Sequence, residues 1–345
     1  MAESDAGPGS ESAALHLGAR IEDALHRWRE RRGRRRGLKP TIVPYTGYGT
    51  PEWTRVLCRV LLTKGGDAPR QRAEKVRGWR SFFSISIDEG TVTITAGGGE
   101  QRAHPIRGGV VDVRLETHLP PGWNQITLQC EGSDPVLASV FIVDPDTRFG
   151  IVSDIDDTVM VTALPRPFLA AWNTFVLDEH ARAPVPGMAV LYERLTRANP
   201  SAPVIYLSTG AWNAAPTLTR FLRRNLYPRG PMLLTDWGPT RDRWFRSGPE
   251  HKRSNLARLA TEFPDVRWLL VGDDGQHDEE IYGAFAAEHP DRVAAIAIRQ
   301  LSTGEAVLAG GRSRAAEYER QSHVRWFFGQ NGAELWSQLA ELVTR

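Results

Sequence analysis

FGIVSDIDDTVMVT, Phe149–Thr162, decides how this chain is read. It opens as a short, continuous apolar run, the pattern of a strand buried on both faces in a parallel sheet. It then places three aspartates, Asp154, Asp156 and Asp157, within four residues. Carboxylates packed that closely repel one another and resist burial. A strand end tolerates them only where something of opposite charge meets them.

Beyond this stretch the pattern alternates strand with helix. That predicts an α/β domain over 147–345 built on a doubly wound parallel sheet. GMAVLYERLTRANP puts Met188, Leu191, Tyr192 and Leu195 on one helix face, and NAAPTLTRFLRRNL does the same with Leu218, Phe221, Leu222 and Leu226. SGPEHKRSNLARLATEF opens with Ser247-x-x-Glu250, a capping-box pattern that predicts a helix start, and continues with Leu256, Leu259, Ala260 and Phe263. APVIYLST, VRWLLVGDD and RVAAIAIRQL read as buried strands, DEEIYGAFAAEH and GAELWSQLAELVTR as helices.

The preceding stretch, 40–146, has a different texture. Short alternating or apolar runs such as TRVLCRVLL, RSFFSISI, TVTITAG, GVVDVRLETHL, NQITLQC and VLASVFIVD are separated by turn residues. This predicts an antiparallel β-sandwich. VPYTGYGTPEW near its start reads as the beginning of a strand with satisfied tyrosine hydroxyls, with a binding loop as the alternative. Residues 1–39 are a small polar tail followed by a basic amphipathic helix. Ile21, Leu25 and Trp28 form its stripe, and Arg31, Arg32, Arg34, Arg35, Arg36 and Lys39 follow. Such a helix packs on its own protein or lies on an anionic membrane surface.

The 345 residues are too many for one ordinary core, in keeping with two domains and a tail. A net charge of +2 gives no pull toward nucleic acid. Cys58 and Cys130 form no Cys-x-x-Cys pair and read as reduced, buried thiols. There is no signal-peptide pattern and no run of the roughly 20 apolar residues a membrane helix needs. The expectation is a cytoplasmic protein, with peripheral membrane contact through the basic helix as the alternative to its packing on the protein.

In an open α/β sheet the active site lies beyond the carboxyl ends of the strands. FGIVS is followed by Asp154, Asp156 and Asp157, VIYL by Ser208 and Thr209, and RWLLVG by Asp273, Asp274 and Asp278, while PEHKR supplies Lys252. Acids, hydroxyls and one ammonium at one sheet edge suit a divalent cation and a phosphoryl group. Mg²⁺ takes carboxylate oxygens and water rather than His or Cys, and its charge lets clustered carboxylates stay ionised. Asp-x-Asp puts two side chains on one side of an extended segment. One carboxylate can attack phosphorus while the other handles a proton, and Ser and Lys can hold the phosphate oxygens.

DIDDT after an apolar strand, VIYLS, a Lys near a helix start and LLVGDDGQHD occur in the chain order of the haloacid dehalogenase superfamily, which this sequence resembles. GDDGQHDEEIYGAFAAEHPDRVAAIAIRQL, YLSTGAWN and VPYTGYGTPEW further resemble the actin-patch phosphatidate phosphatase family, over about residues 40–330. The resemblance implies a Mg²⁺-dependent phosphomonoester hydrolase working through an aspartyl-phosphate, with phosphatidate as the leading substrate and diacylglycerol and phosphate as products. A phosphatase of a soluble phosphorylated metabolite, or a non-catalytic lipid-binding scaffold, are the rival readings.

Carried over by residue, the resemblance implies Asp154 as nucleophile and metal ligand, and Asp156 as acid and base with its backbone carbonyl on the metal. Asp273 would be the main metal ligand and Asp278 a second. Ser208 would bond the phosphoryl oxygens, and Lys252, with Arg253 as its stand-in, would stabilise nucleophile and phosphate. Asp157 reads as a capping or loop residue pointing away from the pair, and Thr158 and Thr209 as structural. Asp274 is either behind the ligands or incidental, and His251 and His277 read as loop residues. An insert at about 160–186, carrying Phe168, Leu169, Trp172, Phe175 and Val176, reads as a small apolar cap. Trp237, Arg241, Arg243, Trp244, Phe245 and Arg246 read as either a lipid seat or an ordered loop.

Overall fold

The computed structural model describes residue 25 and residues 27–64, 85–161, 182–235, 241–275, 277–308 and 323–343. The apolar insert residues Phe168–Val176 and Trp237 lie outside this set, as do the tail and most of RSFFSISI; for 241–247 only the backbone is described.

Nine strands make the first sheet: β1 (Leu38–Pro44), β2 (Gly47–Thr50), β3 (Trp53–Lys64), β4 (Ile85–Ser86), β5 (Val92–Ala96), β6 (Gly99–Ala103), β7 (Val110–Glu116), β8 (Gly122–Cys130) and β9 (Val136–Ile142). Strand β3 is the hub, with β1 and β2 along one edge and β7 and β4 along the other. Where a sandwich was expected, the described strands form one continuous hydrogen-bonded sheet, antiparallel except where β2 runs parallel to β9. Its interior is a cluster of branched aliphatics including Val56, Val60, Ile94, Ile126, Leu128 and Val140. Cys58 and Cys130 are free thiols, the first buried and the second half-buried.

The second sheet holds β10 (Phe149–Ser153), β11 (Val204–Ala211), β12 (Met232–Thr235), β13 (Arg267–Asp273), β14 (Val293–Arg299) and β15 (Trp326–Gly329). The order is β12-β11-β10-β13-β14-β15, and every pair is parallel. Chain order reverses between β10 and β13, the place where such sheets open a crevice for ligands. The connecting helices are α1 (Met188–Ala198), α2 (Ala215–Arg224), α3 (Arg241–Glu262), α4 (Asp278–Glu288), α5 (Thr303–Leu308) and α6 (Gly332–Val343). They touch in two groups, α3 with α4 and α1 with α6. No described helix is long and apolar enough to cross a membrane.

The predicted stripes of α1 and of the second half of α3 are buried. Two expectations are corrected. Leu226 lies past the end of α2 with a positive φ and is exposed. Ser247-x-x-Glu250 is not a helix start, because α3 already begins at Arg241 and runs through Pro249.

The two sheets share a core. Tyr45, Tyr48, Trp53 and Leu57 belong to the same buried cluster as Phe263, Trp268 and the centre of the parallel sheet. Phe263 sits 5.8 Å from Tyr48, 5.5 Å from Trp53 and 5.9 Å from Trp268, ring centre to ring centre. The Tyr48 hydroxyl donates to Glu262 and the Tyr45 hydroxyl to the Trp212 carbonyl, so VPYTGYGTPEW is strand with satisfied tyrosines rather than an open loop.

Candidate active site

Strand β10 ends at Ser153, and the Asp154 amide bonds the Val271 carbonyl at 2.9 Å. That bond fixes Asp154 beside the end of β13, where Asp273 closes the strand. Asp278 opens α4, where a carboxylate also meets the positive end of the helix dipole. Gly272 makes room for it: a Cβ there would lie 2.5 Å from the Asp278 carboxylate. One oxygen from each of Asp154, Asp273 and Asp278 comes within 4.8 Å of the others, all three residues being buried. Lys252, from α3, donates to Asp154 at 2.7 Å and to Asp278 at 2.5 Å.

Four ionisable groups meet here, all of them buried. Burial pushes the Asp154 carboxyl well above the usual carboxylate range; Lys252 pulls it back, while Asp278 and Asp156 push it further up. Burial also raises Asp273, as do Asp278, Asp154 and Asp157, against Lys252. For Lys252, burial opposes the charge, but Asp154 and Asp278 hold its pKa above the ordinary lysine value. One ammonium among three carboxylates leaves the centre short of positive charge. Asp273 Oδ1 accepts the Gly275 amide at 2.8 Å, but its buried Oδ2 has no hydrogen-bond partner. An orphaned carboxylate oxygen in an all-oxygen set fits a hard divalent cation.

Asp156 faces a different neighbour. Its carboxylate accepts from the Ser208 hydroxyl at 3.2 Å, and that hydroxyl in turn accepts the Gly210 amide at 3.0 Å. The Asp156 carboxylate is therefore outside the three-acid set. Asp157 is buried in a left-handed conformation, φ 57°, that Asp tolerates better than most residues. Its carbonyl accepts from Arg299 at 2.7 Å. Thr158 is fully buried, and its hydroxyl makes no hydrogen bond among the described residues, so it braces the loop by packing. Asp274 supports the next loop by accepting the Leu301 amide at 2.8 Å. Arg253 pairs with Glu280 on the surface and leaves the acids to Lys252.

Residues 149–300 match the family model described as phosphatidate phosphatase APP1, catalytic domain. That segment is similar to this family. The chain is 28% identical over 193 residues to phosphatidate phosphatase APP1 of Saccharomyces cerevisiae, which covers 54% of this chain and 32% of the relative. It is 27% identical over 181 residues to an uncharacterized protein of Schizosaccharomyces pombe, 51% of this chain and 29% of the relative. The chain thus spans about a third of the length of these curated relatives. A carbohydrate acetylesterase from Xanthomonas citri superposes over 82% of this chain and 75% of its own at 10% identity, with a TM-score of 0.29 that carries no argument.

Within the matched segment, the residues on either side of the expected insert pair with each other. Val161 bonds the Ala183 carbonyl and Val185 the Val159 carbonyl, beside the aspartate loop. Sequence reasoning missed Arg299, which is buried at the end of β14 opposite Asp273. Besides Asp157 it holds Glu305 at 2.7 Å, so it ties the aspartate loop to α5. A lone Arg ending the apolar run RVAAIAIRQL was the available signal.

His251 is a helix residue, not a ligand. Burial, above all, lowers its pKa to about 4, and its ring bonds the Leu233 carbonyl. Unfolded, it would take up a proton near pH 6.5. Its contribution to stability is therefore full above that pH and declines as pH falls toward about 4, by about 1.4 kcal/mol per unit. Chemical denaturation of His251→Gln between pH 7 and 4.5 should show a flatter loss than wild type; equal slopes would refute this.

Proposed function

We propose that this protein is a phosphatidate phosphatase, releasing diacylglycerol and phosphate. The observation that carries the reading is the three-acid set bridged by Lys252 inside the segment that matches the APP1 catalytic domain.

In this reading Asp154 attacks phosphorus and the ester P–O bond breaks. Asp156 gives a proton to the departing glyceride oxygen. It then takes a proton from the water that attacks the aspartyl-phosphate, and phosphate leaves as the bond to Asp154 breaks. Ser208 holds Asp156 in place and can turn its hydroxyl to a phosphoryl oxygen. Lys252 favours the ionised form of Asp154 and offsets charge on the phosphoryl group. Asp154, Asp273 and Asp278 would hold Mg²⁺, with the Asp156 carbonyl as a further ligand; when bound, it neutralises phosphate charge.

A phosphate-release screen tests this. Phosphatidate, lysophosphatidate, diacylglycerol pyrophosphate and soluble phosphomonoesters are each offered with and without Mg²⁺. Turnover of phosphatidate that stops in EDTA and returns with Mg²⁺ is the expected result. Mg²⁺ should also raise the melting temperature, since a ligand at 100 times its Kd adds about 2.7 kcal/mol. Activity without metal would reject the carboxylate site, and turnover of soluble esters alone would reject the lipid.

The basic helix supports a membrane-facing role. Leu25 and Trp28 are 45% and 55% exposed, with arginines around them in the sequence. The protein should sediment with anionic liposomes and release as salt rises past about 0.15 M, and Leu25→Ser/Trp28→Ser should sediment several-fold less. No sedimentation at low salt would reject this contact.

A further inference from the structure

We infer that Arg55 and Asp112, in the antiparallel sheet, are positioning residues for Lys252, because they fix the rotation of helix α3 that carries it. The inference rests on the phosphatase reading for its kinetic part only.

Lys252 must place one ammonium on two acids at once, at 2.7 and 2.5 Å. With a helix surface about 5–6 Å from the axis, a turn of ~20° would move a side-chain tip by roughly 2 Å and break both bonds. The helix cannot take its rotation from its first turns. Pro249, three residues before Lys252, has no N–H and cannot close the ladder there. Beside Lys252 the His251 ring bonds the Leu233 carbonyl at 3.3 Å, and the further hold on the rotation comes from the far side.

The far side is tied to the antiparallel sheet. Asp112 on β7 and Arg55 on β3 are diagonal neighbours on one face, since Asp112 lies opposite Leu57. Asp112 shares its two oxygens between Arg55, at 2.5 Å, and Arg258 of α3, at 2.8 Å. Arg258 also grips Asn255, whose amide bonds the His251 carbonyl at 2.7 Å, next to Lys252. Arg55 reaches Glu262 at the end of α3 through Nε at 3.1 Å and again through Nη2, and Tyr48 bonds the other Glu262 oxygen at 2.9 Å. Glu262 is buried and Asp112 is one-quarter exposed, so these bonds are partly shielded from water. Together they hold α3 at residues 258 and 262 against a sheet that contributes no acid to the three-carboxylate set.

The test uses the full chain and its four lysines, Lys39, Lys64, Lys75 and Lys252. An amine-acylating reagent is followed residue by residue by mass spectrometry. Wild-type Lys252 should be protected, and Asp112→Asn should acylate it at least tenfold faster with Lys39 and Lys64 unchanged. Asp112→Glu, which keeps two acceptor oxygens, should restore most of the protection. On phosphatidate micelles with Mg²⁺, Asp112→Asn should lower kcat about tenfold with KM within twofold. In a Lys252→Met background the same change should alter kcat less than twofold. Arg258→Gln runs through the same assays if Asp112→Asn does not fold. Unchanged Lys252 acylation, or an equal loss of kcat in both backgrounds, overturns the inference. A wild type that releases no phosphate counts against the phosphatase reading alone, because acylation still decides the positioning.

Discussion

Asp154→Asn should abolish phosphate release, by on the order of 10⁴-fold or more, while the protein stays folded. An amide has the shape of the carboxylate but does not attack phosphorus at a useful rate. The fold should survive because the substitution removes one of three crowded negative charges, whose burial already pushes Asp154 toward its neutral form. Lys252 keeps Asp278 as its partner. The melting temperature without metal should therefore match or exceed wild type. Retained turnover would remove Asp154 from the nucleophile role, and a large fall in melting temperature would show that the three acids are less strained together than burial implies.

Lys252→Met should have the largest effect on stability. It is the one described cation hydrogen-bonded to the three-acid set, and it is buried with the acids it bridges. Removing one partner of a buried ion pair costs about 3–5 kcal/mol, because the other charge is left uncompensated. Without the ammonium, Asp154 loses the interaction that favours its charged form, so its folded pKa rises further above the unfolded one. Stability held by the protonated acids is full below the unfolded value, near 4, and is lost as pH rises. The variant should be least stable near neutrality and recover toward pH 5. Denaturant titrations at pH 7.5 and 5 measure this. A loss that is small, or the same at both values, would mean that Lys252 sits in a hydrated pocket rather than a dry one.

How much of this the sequence carried can be judged residue by residue. The parallel sheet was legible because its strands are buried on both faces and read as unbroken apolar runs. Asp154, Ser208, Asp273 and Asp278 were legible because each follows such a run or opens a helix, and strand ends in a parallel sheet converge; Lys252 was read from an expected helix start that the structure puts earlier, at Arg241. The pairing of Asp156 with Ser208 rather than with the three acids was not legible, since it depends on how the loop turns at Asp157. Strands β1, β6, β12 and β15 went unread: they are short or lack the alternating or unbroken apolar pattern. The ties from Arg55, Asp112 and Tyr48 to α3 were invisible because they join residues 146 to 214 positions apart, through charges that look like ordinary surface groups in their own strands.

The seam of Tyr48, Trp53, Phe263 and Trp268 bears on how such chains can be recombined in evolution. The segment from 149 onward, transplanted alone, would carry Phe263 and Trp268 with their aromatic cover stripped off, and Glu262 without Tyr48 or Arg55. Exposed rings beside an unpaired acid favour aggregation over a free-standing fold. A gene that inherits the catalytic half must therefore inherit the β half with it, or supply another pair of rings and another base in the same places.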